Sequence, residues 1–198
     1  MGLCLDFSDT VGWRNGKNGK TPVDKLKDYD SLVEWSRDHG LVRAEEARFL
    51  GRIAKESGKD KPIFRRAIEL RETIYRVFSA TTHGRKPSDR DLEALNDFLS
   101  ESMAKSKIVR RGEGFRWSYF GTEGTPDRML WPIARSAAEL LTSELLANVR
   151  ECANEEEGCG WLFLDESKSH TRRWCSMGSC GNVAKARRYY ERHRENPT

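Results

Sequence analysis

Four of the five cysteines of this chain lie in its last quarter and form two close pairs. Cys152 and Cys159 are separated by six residues, Cys175 and Cys180 by four, and the two pairs by a spacer of fifteen. Two pairs joined by a longer spacer allow a short chain to supply four thiolates to one tetrahedral zinc ion. The sequence therefore predicts one structural Zn²⁺, closed by all four cysteines and without an open position for catalysis.

The rest of the sequence favours metal ligation over disulfide bonding. The opening residues lack the basic and apolar regions of a secretory signal, and no apolar run approaches the roughly 20 residues of a membrane span. We therefore expect a cytoplasmic protein with no membrane partner, and a reducing compartment disfavours disulfides. The fifth cysteine, Cys4, is predicted to be a small buried hydrophobic residue. His170 and His193 are the alternative metal ligands near the cysteines.

Positive charge is concentrated around and after the second cysteine pair. Residues 167–194 carry eight lysines and arginines against one acid, so this segment is +7 within a chain of net charge +4. Such side chains neutralise phosphates and release counterions, which is typical of nucleic-acid binding. The candidate nucleic-acid contacts are Lys168, Arg172, Arg173, Lys185, Arg187, Arg188 and Arg192.

A helix that begins near Cys180 would place three of these cations, Lys185, Arg188 and Arg192, on one face. Two other interpretations remain open: a solvated basic surface, or arginines that balance the formal charge of −2 on a zinc tetrathiolate. Tyr189 and Tyr190 can stack on bases, although we expect at least one of them to pack against the hairpin predicted within the finger. The charge pattern alone does not distinguish DNA from RNA.

The patterns of apolar residues predict a mostly helical domain over residues 1–148 and a zinc finger over residues 149–198. Leu3–Phe7 alternates and predicts a short strand, whereas residues 106–121 predict a β-hairpin. A long amphipathic helix is expected from Leu130 to near Cys152. Further helices are predicted over residues 29–39, 43–56, 62–82 and 88–105. The expected fold class is α+β, with a small antiparallel sheet beside the helices.

The finger itself is too short to bury a self-sufficient core, and a metal would supply the missing stability. Residues 161–164 predict a strand, and residues 172–175 are expected to return as its partner. A helix then follows from Cys180 to about His193. At the start of that helix, free backbone N–H groups would stabilise the Cys180 thiolate.

Two stretches of sequence resemble a known family. The run CGWLFLDESKSHTRRWCSMGSCGNVAKARRYYERHR resembles the CGNR-type zinc finger, which is similar to treble-clef fingers. The opening LCLDFSDTVGWR is similar to the start of the ABATE domain, which precedes this finger in bacterial proteins. The resemblance implies a stress-induced transcription regulator whose finger binds DNA and whose N-terminal domain binds a small-molecule effector. Trp13 and Arg14 belong to the family-like opening and are the candidate ligand-binding residues.

The chain departs from the family pattern at two places. Val183 stands where the arginine of the CGNR motif is expected, so a contact made by that arginine is lost or relocated. The six residues between Cys152 and Cys159 form a longer loop than we associate with the family, and Glu155, Glu156 and Glu157 make it acidic. The departures put the specificity of DNA binding in question more than the metal.

We therefore expect a zinc-finger DNA-binding transcriptional regulator with an N-terminal sensor domain, acting as a homodimer if a single finger has too small a footprint. An RNA-binding zinc-ribbon-like protein and a protein-interaction scaffold are the alternatives. The sequence contains no phosphate-binding loop, dinucleotide signature or metalloprotease motif, and His39 and His83 fall at expected helix ends. We expect no enzymatic activity.

Overall fold

The part of the protein before residue 148 is mostly helical. The computed structural model describes residues 2–122 and 124–195. The helices of this part are α1 (Leu3–Ser8), α2 (Tyr29–Asp38), α3 (Ala44–Glu56), α4 (Asp60–Thr82), α5 (Asp89–Ala104) and α6 (Leu130–Leu141). Asp28 begins α2 because its side chain accepts a hydrogen bond from the amide of Ser31, and Ser88 begins α5 in the same way. The four helices predicted between residues 29 and 105 are confirmed to within two residues at each end.

Three antiparallel strand pairs accompany the helices within the described residues. They are β1 (Val11–Gly12) with β2 (Val23–Asp24), β3 (Ser106–Arg111) with β4 (Gly114–Tyr119), and β5 (Val149–Glu151) with β6 (Leu162–Leu164). The predicted hairpin over residues 106–121 is confirmed, with Ile108 opposite Trp117. A last helix, α7 (Asn182–Glu195), follows the second cysteine pair. The fold class is α+β, as predicted.

The core is centred on α4, which packs against α1, α2, α5 and α6. Leu70, Ile74 and Phe78 of α4 are completely buried. Val149 of β5 and Leu162 of β6 belong to the same apolar cluster, so the first strands of the finger complete the core of the helical domain. Burial of one such side chain contributes about 1.5–3 kcal/mol. In the described part of the chain, every helix is too short or too polar to cross a bilayer.

The prediction of a strand at Leu3–Phe7 is wrong, because this segment is helix α1. The apolar residues of this five-residue segment fit both the period of 2 of a strand and the period of 3.6 of a helix. Tertiary packing decides between the two structures. Cys4, Leu5 and Phe7 are all buried, and α1 lies against both α4 and α6. A strand would direct Cys4 and Leu5 to opposite faces. The prediction that Cys4 is buried is confirmed.

The helix predicted to run from Leu130 to near Cys152 ends at Leu141. The hydroxyl of Thr142 donates to the carbonyl of Ala138, and the hydroxyl of Ser143 donates to that of Leu140. Such local side-chain bonds compete with continuation of the helix. A 3₁₀ turn follows, and the chain then enters β5.

The strand pairing predicted within the finger is also wrong. Residues 162–164 do form a strand, but β6 pairs with β5 rather than with residues 172–175. The backbone of residues 172–175 has other partners: the amide of Arg172 donates to the Asp165 carboxylate, and the amide of Cys175 donates to the sulphur of Cys152. This segment is therefore held as an irregular loop beside the cysteines.

Candidate zinc centre and nucleic-acid interface

The four cysteines converge on one point. The Sγ atoms of Cys152, Cys159, Cys175 and Cys180 all lie within 4.8 Å of one another. The Cys159–Cys175 and Cys175–Cys180 sulphur distances are both 3.7 Å. A tetrahedron with zinc–sulphur bonds of about 2.3 Å has edges of about 3.8 Å. The donor set and its spacing therefore fit one structural zinc ion, bound by these four thiolates.

Hydrogen bonds to sulphur prepare the cysteines for a cation. Hydrogen bonds from the thiols of Cys159 and Cys175, together with those from the backbone amides of Cys175 and Asn154, lower the pKa of Cys152 strongly, although burial acts in the opposite direction. The hydrogen bond to Cys152 raises the pKa of the Cys159 thiol instead, because negative charge accumulates beside it. Four cysteine sulphurs this close can all be deprotonated only when a cation takes the place of their protons.

The second pair lies at the start of the final helix. Met177–Gly181 forms a π-helical turn that carries Cys180, and α7 begins directly after it. An added Cβ on Gly181 would lie 2.9 Å from the sulphur of Met177, so the turn is tightly packed. The predicted helix is confirmed, with its start at Asn182. The nitrogen Nδ1 of His170 lies 3.0 Å from the carbonyl of Asp165, and the metal-ligand cluster found among the described residues consists of the four cysteines.

The N-terminal segment of residues 9–18 lies against the first cysteine pair, which the sequence did not indicate. The amide of Arg14 donates to the carbonyl of Cys159 at 3.2 Å, and the amide of Asn15 donates to the carbonyl of Gly158 at 3.0 Å. The indole N–H of Trp161 donates to the carbonyl of Val11 at 2.7 Å. Cys159 is therefore bound to the helical domain by backbone hydrogen bonds at Gly158 and at Cys159 itself, and by the side chain of Trp161 beyond it.

The carboxylate of Asp9 adds a side-chain bond to this contact. It accepts from the amide of Leu162 at 3.0 Å. Burial raises the pKa of Asp9 to about 8, although the hydrogen bond from Leu162 and the charge of Arg14 act in the opposite direction. The sequence signal for this contact is the pair of glycines around Cys159, Gly158 and Gly160, which both adopt positive φ.

The structure separates the two predicted ligand-binding residues. The guanidinium of Arg14 bonds Glu72 at 2.5 Å and the carbonyl of Ser8 at 2.7 Å, and it lies over the ring of Tyr75. Only 8% of its side chain is exposed. Arg14 therefore joins the N-terminal segment to α4, whereas Trp13 lines a cavity beside the zinc centre. The ligand-binding role of both residues stays a prediction.

The predicted nucleic-acid contacts fall into two groups. Lys168, Arg173, Lys185, Arg188 and Arg192 are exposed. Arg172 is exposed as well and Arg187 is half-buried, and both make contacts to other parts of the finger. Arg187 forms ion pairs with Glu156 and Glu157 of the acidic loop. Arg172 donates to the carbonyls of Trp174 and Cys175 and stacks over Phe163, which places it among the groups that shape the zinc centre.

The exposed face of α7 has little packing around it. Lys185, Arg188 and Arg192 lie on this face as expected, and Tyr189 lies among them. Tyr189 and Tyr190 are 54% and 67% exposed, so the prediction that one of them packs against the finger is wrong. Val183 is also exposed. Arg194, which lies two residues after Arg192, has a side chain outside the described residues.

Comparison with known families agrees with the geometry. A family model named ABATE, with the description "Putative stress-induced transcription regulator", matches residues 2–144. A model of the CGNR zinc finger matches residues 148–193. No curated protein matches the chain significantly. The chain belongs to the ABATE family and carries a C-terminal CGNR zinc finger.

Proposed function

We propose that this protein is a DNA-binding transcription regulator, in which the zinc finger presents α7 to duplex DNA and the N-terminal domain responds to a small ligand. The observation that carries the proposal is the exposed row of cations on α7, formed by Lys185, Arg188 and Arg192. The zinc ion has four protein ligands and therefore a structural role, and we propose no catalytic step.

The dimensions of α7 suit the major groove of DNA. An α-helix with its side chains is about 10–12 Å in diameter, which matches the groove width of about 12 Å. The 14 residues of α7 span about 21 Å along the groove. The opposite side of the helix is held by the ion pairs of Arg187 with Glu156 and Glu157. These contacts fix the direction in which the cationic face points. The acidic loop thus balances Arg187, and the cations of the exposed face keep their charge for phosphates.

A rival function is favoured by one specific observation. Tyr189 and Tyr190 are both exposed and can stack on the unpaired bases of single-stranded RNA. Duplex DNA needs the cations but not the rings, whereas single-stranded RNA needs both. A comparison of the two nucleic acids therefore belongs in the same experiment.

We expect the triple variant Lys185→Ala/Arg188→Ala/Arg192→Ala to bind duplex DNA on the order of 10- to 100-fold more weakly than the wild type. Loss of three phosphate contacts would reduce the slope of log K against log salt concentration by about 2.7. Gel shifts over a salt series, with the zinc-loaded full chain, measure both quantities.

The matched control is Lys107→Ala/Arg110→Ala/Arg111→Ala, which removes the same charge from the exposed β3–β4 hairpin. It should bind DNA nearly as the wild type does. Equal losses in the two triple variants would mean that only net charge matters, and the proposal would fail. Preferred binding of single-stranded RNA, lost on Tyr189→Ala/Tyr190→Ala, would establish the rival.

Val183→Arg tests the departure from the family motif. Val183 is 38% exposed in the first turn of α7, so an arginine fits there without repacking. We expect DNA affinity to rise about 3- to 10-fold and the salt slope to steepen by about 0.9, as one added phosphate contact requires. Val183→Gln controls for side-chain length. An unchanged salt slope in the arginine variant would show that the DNA does not approach this end of the helix.

A further inference from the structure

A cavity of about 300 Å³ lies between the β1–β2 hairpin and the zinc centre. Trp13, Val23 and Lys25 line it from the N-terminal segment, while Trp161 and three of the four zinc ligands line it from the finger. The volume falls at the lower end of the range for small-molecule sites. We propose that this cavity binds a small planar aromatic carboxylate, with its ring against the two indoles and its carboxylate at the Lys25 ammonium. The inference rests on the proposed ligand response and names its site and ligand class.

The backbone of Trp13 is the first argument for a ligand site. Its φ is +52°, a conformation that bulky residues rarely adopt. Strain of this kind persists only where the surroundings impose it, and it is concentrated at functional sites. Two hydrogen bonds impose it here, because the carbonyl of Trp13 accepts from the amide of Gly16 and the next amide donates to Cys159. The strained residue places its indole at the cavity.

The two indoles select the shape of the ligand. Trp13 and Trp161 both line the cavity, and they come from different parts of the chain, one from the N-terminal segment and one from the finger. The indole N–H of Trp161 is already bonded to Val11, so the ring presents mainly apolar surface. Val23, which is 54% exposed, adds an apolar edge. Surfaces of this kind favour flat aromatic rings through stacking and burial.

The charges select the polar group of the ligand and its orientation. Among the residues that line the cavity, Lys25 carries the charged side chain, and its ammonium lies 5.0 Å from the centre of the Trp161 ring. Among the described residues, it makes no ion pair. A second ammonium, that of Lys20, lies 4.2 Å from the centre of the Trp13 ring, but it is paired with Glu157. One cation without an ion pair in a mostly apolar lining suits a monoanionic carboxylate better than a phosphate dianion. The zinc tetrathiolate carries a formal charge of −2, so the carboxylate points to Lys25 and the ring points to the cysteines.

Because its walls come from two parts of the chain, the cavity offers a direct route from ligand to finger. A ligand that contacts both Trp13 and Trp161 stabilises the arrangement in which the N-terminal segment holds the first cysteine pair. Its binding should therefore slow the loss of zinc to a chelator. This effect is measurable without DNA.

Calorimetric titration of the zinc-loaded full chain with 1-naphthoate tests the proposal. We expect saturable binding, at least 10-fold weaker binding of the neutral 1-naphthamide, and slower zinc release to a chelator in the presence of 1-naphthoate. Lys25→Met should remove the preference for the acid, whereas Lys25→Arg should keep it. Lys27→Met removes an exposed charge from the same loop outside the cavity and should bind as the wild type does.

Absence of saturable naphthoate binding at millimolar concentration would overturn the proposal. So would equal affinity for acid and amide, or equal losses in the Lys25→Met and Lys27→Met variants. A further variant, Val23→Trp, fills the mouth of the cavity from an exposed position and should abolish binding while zinc is retained. DNA is absent throughout, so failure here and failure of the DNA-binding proposal are separate results.

Discussion

Cys159→Ser should release zinc, unfold the finger and lower the melting temperature of the remaining helical domain by about 10 °C, the shift expected when that domain loses the burial of two apolar side chains. Apparent free energies of zinc binding in small domains reach about 10–16 kcal/mol, which matches or exceeds the net stability of a typical domain. The finger cannot replace that contribution, because its own apolar cluster consists of the cysteines and a few aromatic residues. The effect reaches the helical domain because Val149 and Leu162 complete the core around α4.

Zinc content of the purified chain, thermal melting and amide hydrogen exchange measure this prediction. Cys4→Ser is the matched control, since it makes the same substitution at a completely buried cysteine in α1, remote from the zinc centre in the sequence. It should lose some stability through its buried hydroxyl but retain one zinc per chain. Full zinc content in the Cys159→Ser variant would refute the four-cysteine site. Unchanged exchange protection of α4 in that variant would refute the shared core.

The zinc centre could be predicted from the sequence because its ligands lie close together along the chain. The two cysteines of each pair are separated by only four or six residues. Cysteine sulphur is a preferred zinc ligand, so the residue type alone limits which metal can bind. Helix caps are local in the same sense: the hydrogen bond from the amide of Asp91 to Ser88 spans three residues. The exposed face of α7 follows from helical periodicity, which needs no knowledge of the rest of the fold.

The contact between the N-terminal segment and the finger could not be predicted in this way. It joins residues about 145 positions apart, and each of the hydrogen bonds described above has a backbone amide or carbonyl on at least one side, a group that carries no sequence signal. The contact of Arg14 with α4 could not be predicted for the same reason, since its partners Glu72 and Tyr75 are distant in sequence. The short segment at Leu3–Phe7 was ambiguous because five residues do not separate a period of 2 from a period of 3.6.

Gly158→Ala should destabilise the protein by about 3–4 kcal/mol and weaken the contact between the helical domain and the finger. Gly158 has φ of +69°, where an L-residue costs about 1–2 kcal/mol. Its added Cβ would also lie 2.8 Å from the amide nitrogen of Gly16 and 2.9 Å from that of Lys17. Because both neighbours are backbone atoms, the segment must move, and the bond from Asn15 to the carbonyl of Gly158 is lost.

Gly84→Ala separates the two causes. Gly84 follows α4 with φ of +67° and has nothing within 4 Å of an added Cβ, so this variant should cost only the conformational part, about 1–2 kcal/mol. Denaturant unfolding compares the two variants, and the rate of zinc release to a chelator should rise in Gly158→Ala alone. Equal destabilisation would mean that the close approach of residues 15–17 contributes nothing. A larger cost at Gly158, together with faster zinc release, would establish that the helical domain holds the zinc centre through the residues that surround Cys159.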